Sequence, residues 1–273
     1  DPATGRVAEL SNLGFLSLSA YETASDLREI FRHYKLQDGN ASDKEVLKRI
    51  LREQTQTFLH RICALRMAEE RGVFQESLAS GLASRAVRNY DFIVKNALGD
   101  PYEKYVKYLK SLFDELSGDL PQIFDRTEPF GLLFPSERAF TELLNLINSV
   151  DKWCEDETIG WIFQYFNNEE DFSTMRGKKN VNPKNSHELA VRNQFFTPRY
   201  VVEFLLDNTL GRLWVEETRG VTKLLTLCRY LINCRPAQGA TARLRDPRTI
   251  RVLDPACGSM HFGLYAFDLL LAI

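Results

Sequence analysis

The stretch Arg251-Val252-Leu253-Asp254-Pro255-Ala256-Cys257-Gly258-Ser259-Met260-His261-Phe262 decides how this chain is read. A β-favouring run from Ile250 to Leu253 stops at an acid, turns through Pro255 and Gly258, and enters a helical pattern at Phe262, Ala266, Leu269 and Ile273. The pattern predicts a strand, a tight loop and a helix. Such a unit places a ligand at the carboxyl end of a parallel strand, where a glycine lets the backbone come close and the unpaired N–H groups of the next helix favour an anion. Neither G-x-G-x-x-G nor G-x-x-x-x-G-K-[ST] is present, which sets aside nicotinamide and nucleoside-triphosphate chemistry. The same string also fits an ordinary turn ahead of a helix capped by Ser259.

Upstream, Asn193-Gln194-Phe195-Phe196-Thr197-Pro198-Arg199-Tyr200-Val201-Val202 carries a second signal. Thr197 stands where an N-cap belongs and Pro198 suits the first helical position. Val201, Val202, Leu205, Leu206 and Leu210 form the buried stripe of the helix that follows. A well-capped helix accounts for this by itself. A cap hydroxyl can also accept from helix N–H groups while donating its hydrogen to a nearby anion, which would give Thr197 two tasks.

Together, F-x-T-P and D-P-A-C-G-S resemble the amino-terminal cofactor motifs of adenine-N6 DNA methyltransferases in which the cofactor-binding half comes first. The wider match includes Gly160 to Asn167 and Asp207-Asn208-Thr209-Leu210-Gly211-Arg212-Leu213-Trp214, and is similar to the large phage-defence methyltransferases of the PglX kind from BREX and their DISARM relatives. Enzymes of restriction-modification systems are near neighbours. The resemblance covers Asn193 to Ile273 most closely and the first two-thirds only as a helical leader. It implies S-adenosylmethionine as cofactor, with Phe196, Thr197 and Pro198 in one binding segment and Asp254, Pro255, Ala256, Cys257 and Gly258 in the other. Thr197 would hold the methionyl carboxylate, Asp254 would hold the amino group or order the loop, and Pro255 would shape it. It further implies double-stranded DNA as a partner, mainly through downstream regions, and defence-system proteins as further partners; the scattered, unpaired cysteines fit a cytoplasmic location.

The sequence departs from that pattern in two ways. The usual final glycine of the loop is Met260, and a left-handed backbone there would cost a non-glycine residue roughly 1–2 kcal/mol. The Asn/Asp-Pro-Pro-aromatic motif, which in this family holds the extruded base and polarises its amino group, is absent. Asp100-Pro101-Tyr102 lacks the second proline, and Asn182-Pro183-Lys184 lacks that proline and the aromatic. The acid expected on the cofactor ribose, about 20 residues past the loop, falls beyond Ile273. No catalytic residue is therefore assigned, and the chain is expected to be an inactive fragment of a longer enzyme. A methyltransferase acting on cytosine N4, RNA or protein would share the cofactor loop. A non-catalytic helical module that docks on defence proteins or DNA is the alternative of another class.

From about Leu10 to Asn168 the pattern is helical almost throughout. Val46, Leu47, Ile50, Leu51, Phe58, Ile62 and Leu65 mark one long amphipathic helix with Ser42 or Asp43 as its cap. Tyr105 to Leu116 and Phe140 to Val150 repeat the spacing. The aromatic run Ile159 to Phe166 is expected to be core rather than a base-stacking platform. The polar run from Arg176 to Asn185 suggests a linker. The expected organisation is thus a helical amino-terminal domain over 1–176, a linker over 177–192, and the opening part of an α/β Rossmann-like methyltransferase domain over 193–273.

Thirty-five Lys+Arg against thirty-seven Asp+Glu give a net charge of −2, so no global basic excess points to nucleic acid. The arginines at 229, 235, 243, 245, 248 and 251 are either a local DNA-backbone contact or part of a surface insertion. The five cysteines include no C-x-x-C pair, and His33, His60 and His187 have no ligand-spaced partner, so neither a disulfide framework nor a metal is expected. His261 is expected to serve packing. The longest purely apolar run, 269–273, is far short of the ~20 residues that cross a bilayer.

Overall fold

The computed structural model describes residues 7–95, 99–166, 182, 189, 196–232 and 245–273. The chain divides into two compact units, Asp1–Cys154 and Glu155–Ile273. The expected linker and basic run lie almost wholly outside the described residues, as do Cys234, Arg235, Arg243 and His187.

The amino-terminal unit is helical because its apolar residues recur at helical spacing and its polar residues close the ends. It comprises α1 (Leu18–Gln37), α2 (Asp43–Glu70), α3 (Arg85–Val94), α4 (Pro101–Leu116), the single turn α5 (Pro121–Phe124) and α6 (Glu137–Asn148). Ser42 starts the 28-residue α2 with a reciprocal capping box, accepting from the Glu45 N–H while its own N–H donates to the Glu45 carboxylate at 2.7 Å. Asp100 is the N-cap of α4 and Pro101 begins that helix, so Asp100-Pro101-Tyr102 is a helix start. Ser136 caps α6.

Phe58 of α2, Phe134 and Phe140 of α6 meet edge to face, with centroids 4.8 to 5.8 Å apart. Two polar side chains of α2 fasten the loop that crosses this core. Gln54 donates to the Pro129 carbonyl and accepts from the N–H groups of Leu132 and Leu133. Arg61, 2% exposed, donates to the carbonyls of Ile123, Asp125 and Gly131. An irregular chain can be buried here because its backbone groups find these partners.

The carboxy-terminal unit comprises α7 (Glu157–Phe166), α8 (Arg199–Leu206), a π turn (Asp207–Gly211), α9 (Arg212–Glu217), the short α10 (Leu224–Leu227) and α11 (His261–Ala272). α8, the π turn and α9 run on without a break. Their apolar side packs Val202, Leu206, Leu210, Trp214 and Val215 against Ala266 and Leu269 of α11. The π turn widens the helix by one residue and aims Asp207 inward. There the wholly buried carboxylate accepts from the Tyr230 N–H at 2.9 Å and the Tyr265 hydroxyl at 2.8 Å. Asn208 holds the same segment by donating to the Tyr230 carbonyl and accepting from the Ile232 N–H. Gly211 leaves room for Cys228, whose Sγ would lie 2.8 Å from a Cβ at that position.

The expected α/β Rossmann-like fold is not formed: every regular element among the described residues is helical, and there is no strand. The segment read as a strand, Ile250 to Leu253, has no regular secondary structure, with Leu253 89% and Val252 48% exposed. A strand exists only through hydrogen bonds to a neighbour, and none of the described residues supplies one. β-favouring composition therefore leaves this segment unpaired.

Candidate functional site

The 196–198 segment and the start of α11 come together around one aromatic ring. Phe196 stacks on His261 with centroids 4.6 Å apart and planes 15° from parallel, and its other neighbour is Trp161 of α7 at 5.3 Å. Its N–H donates to the Gln164 side-chain oxygen at 2.5 Å. The ring lies so close to Gly160 that a Cβ there would fall on it. α7 therefore holds Phe196 with a glycine, an amide and an indole on one helical face.

His261 is 9% exposed, as expected of a packing residue. Its Nε2 lies 3.7 Å from a Glu157 carboxylate oxygen, and its Nδ1 is buried with no hydrogen-bond partner. Glu157, Gly160 and Gln164 were not among the sequence candidates. Gly160 and Gln164 lie in the stretch Gly160 to Asn167 that carries part of the resemblance, and the three- and four-residue spacing sets all three on a common face.

The loop between Leu253 and α11 is held by its own backbone. Asp254 accepts from the Ala256 N–H at 3.0 Å through one oxygen, while its other oxygen is buried with no partner. The Met260 N–H donates to the Cys257 carbonyl at 2.7 Å. Gly258 is left-handed at φ 49°, and Met260 is left-handed at φ 64° and ψ 24°. The position where the resembled motif has a glycine thus keeps a left-handed backbone even with a methionine in it. Met260, rather than Ser259, is the residue before α11, and no side chain caps that helix. Its first N–H groups are free of a cap. Pro255, Ala256, Cys257 and Gly258 are exposed, and Cys257 is a free thiol.

The expected cap at Thr197 is not found. α8 starts at Arg199, its N-cap is Pro198, and no side chain caps it. Pro198 has an extended ψ of 143° and contributes its carbonyl to the N–H groups of Val201 and Val202, which displaces Thr197 one residue outward. Asp254 and Pro255 border an apolar hollow of about 540 Å3 walled by Leu206, Leu213, Val252 and Phe262. Of the arginine-rich segment, Arg245 pairs with Glu217 and Arg248 with Asp246, so these two are engaged by acids of their own unit. The aromatic run of α7 packs through Trp161, while Tyr165 is 67% exposed. No group of residues able to hold a metal occurs among the described residues. Nor does a helix among them have the length and apolarity to cross a membrane.

The chain is similar in sequence to bacterial adenine-specific methyltransferases. It is 29% identical over 189 residues, 62% of its length, to the adenine-specific methyltransferase PglX of Lacticaseibacillus casei (strain Zhang). It is 30% identical over 169 residues, 56% of its length, to the adenine-specific methyltransferase BrxX of Escherichia coli O9:H4 (strain HS). The chain spans only 15% and 13% of the length of these two relatives. No family model matches it.

Proposed function

We propose that residues 193–273 supply S-adenosylmethionine-binding segments of a site-specific DNA methyltransferase acting on adenine N6 in phage defence or restriction-modification. The observation that supports this reading is the stack of Phe196 on His261, which joins the 196–198 segment to the start of the helix that follows the D-P-A-C-G loop. The similarity to PglX and BrxX supports it. The residues also fit the charges of the cofactor's amino-acid end. The buried, unpartnered oxygen of Asp254 lacks a donor that an ammonium group would provide, and the uncapped N–H groups of α11 favour a carboxylate.

In this reading Thr197 and the α11 amino terminus hold the carboxylate, and Asp254 holds the amino group. Ala256, Cys257 and Gly258 line the cofactor, Pro255 fixes the turn, and Phe196 and Pro198 set the position of Thr197. When bound, S-adenosylmethionine supplies the methyl group. Because the chain contains no Asn/Asp-Pro-Pro-aromatic motif, these residues bind and orient without polarising an adenine amino group. DNA and partner defence proteins would then be engaged by other parts of the full enzyme.

Calorimetric titration of S-adenosylmethionine into the chain tests this, with Asp254→Ala and Thr197→Ala alongside. Saturable binding is expected, weakened roughly tenfold or more in each variant by loss of a charge-assisted hydrogen bond. No binding by the folded chain, or affinity unchanged in both variants, overturns the assignment. Transfer of labelled methyl groups to adenine-containing DNA is expected to be undetectable with this chain alone.

A further inference from the structure

The amino-terminal unit contains a hollow of about 500 Å3 that the reading above does not use. One wall is the inner face of α1, where Ser19, Ala20, Thr23, Ala24 and Leu27 recur at helical spacing and leave room because most are small. The opposite wall is formed by Phe58, Phe113 and the segment 131–134. Its size is that of a pocket for a small organic molecule, and its lining mixes hydrocarbon, hydroxyl and cationic groups.

Three cations border this space: Arg61, Lys110 and Arg126. The buried Arg61 guanidinium spends its hydrogen bonds on the neutral carbonyls of Ile123, Asp125 and Gly131. These satisfy its donors without cancelling its charge. Lys110 stands at the rim with Nζ 6.0 Å from the centre of the Phe134 ring, and forms no ion pair among the described residues. Arg126 is neutralised by a two-pronged pair with Asp114, at 2.6 and 2.5 Å, so the acid whose field reaches Lys110 is already engaged. Partial burial first, and then the nearby Arg126 charge, lower the proton affinity of Lys110 against the opposing field of Asp114. Two positive charges therefore border a partly dehydrated space of mixed lining. Asp125 and Glu128 act on Arg61, and Asp114 on Lys110, only through their fields and without an ion-pair contact. The attraction for an anion there is stronger than in water.

We propose that the hollow between α1 and residues 131–134 is a binding site for a small organic anion with an apolar or aromatic body, its charged group at Lys110 within the field of the buried Arg61 and its body against Phe113, Phe134 and the small residues of α1. A bare inorganic ion would leave the apolar wall unfilled. The site is independent of the cofactor reading, since every residue in it belongs to the amino-terminal unit.

The test is fluorescence titration of the full chain with 8-anilino-1-naphthalenesulfonate and, in parallel, with its uncharged analogue N-phenyl-1-naphthylamine. Expected is one saturable site for the sulfonate, weakened roughly tenfold or more by Lys110→Glu and blocked by Ala24→Trp, which fills the hollow. A control reversal in the other unit, Lys223→Glu, is expected to leave binding unchanged. Circular dichroism of each variant shows whether its helices are intact. Failure of the sulfonate to bind, equal binding of the uncharged analogue, or equal losses in Lys110→Glu and Lys223→Glu would each overturn the proposal.

Discussion

Met260 shows how one side chain can conflict with the backbone that surrounds it. The residue is held at φ 64°, where a side chain costs roughly 1–2 kcal/mol, and its neighbours leave it little choice. Its N–H is tied to the Cys257 carbonyl, and its own carbonyl receives the Leu264 N–H at 2.8 Å as the first bond of α11. Met260→Gly is expected to relieve that strain. Because glycine also gains freedom in the unfolded chain, the net stabilisation is up to about 1 kcal/mol, read as a higher urea midpoint at unchanged slope. A lower midpoint would mean that the methionine side chain, 54% exposed, contributes more by packing than its backbone costs.

At the scale of elements, α7 positions Phe196, and Gly160 makes the contact possible. A methyl group at position 160 would fall on the Phe196 ring and force it off His261. Gly160→Ala is therefore expected to weaken S-adenosylmethionine binding by about tenfold or more, even though alanine is the better helix former by roughly 1 kcal/mol. Retained helicity with lost affinity is the expected combination in circular dichroism and calorimetry. Affinity equal to that of the unaltered chain would show that the stack does not set the position of Thr197. α7 was legible as an aromatic run at helical spacing, but its use as a seat for Phe196 depends on residues far along the chain. The same applies to α8. Val202, Leu206 and Leu210 of its apolar stripe were legible, although Leu205 is 44% exposed, whereas the π turn that follows it, and the turning inward of Asp207, were not. A wider turn costs local hydrogen-bond geometry, and here it is compensated by bonds from Tyr230 and Tyr265.

At the scale of the whole molecule, each unit buries a thiol, and both thiols resist ionisation. Burial pushes Cys63 of the amino-terminal unit up from 9.0 to about 12, and Cys228 of the carboxy-terminal unit likewise to about 12, with the Asp207 charge adding to the effect. An unfolded chain would begin to lose these protons near pH 9.0 while the folded chain keeps them. The stability they represent is thus fully present below that pH, and is lost progressively as pH rises through the folded values near 12. Thermal unfolding followed between neutral pH and pH ~11 is expected to show a falling midpoint, less marked in Cys63→Ala after allowance for the lost packing. A midpoint independent of pH over that window would contradict the burial of both groups.

Local pattern by itself determined the helices of the amino-terminal unit, the cap at Ser42, and the loop into α11, whereas the caps at Asp100 and Ser136 emerged only in the structure. The former follow from spacing, capping chemistry or glycine content within a few neighbouring residues. The same pattern suggested a strand at Ile250 to Leu253 and a cap at Thr197, and the structure contains neither. Strand formation depends on a partner that propensity does not supply, and Pro198, extended at ψ 143°, takes the cap position for itself. Only the tertiary structure decided that Phe196 meets His261, that Asp207 is wholly buried, and that Arg61 and Lys110 border one hollow. Those relations join residues distant along the chain, and the packing that brings them together is invisible to any local pattern.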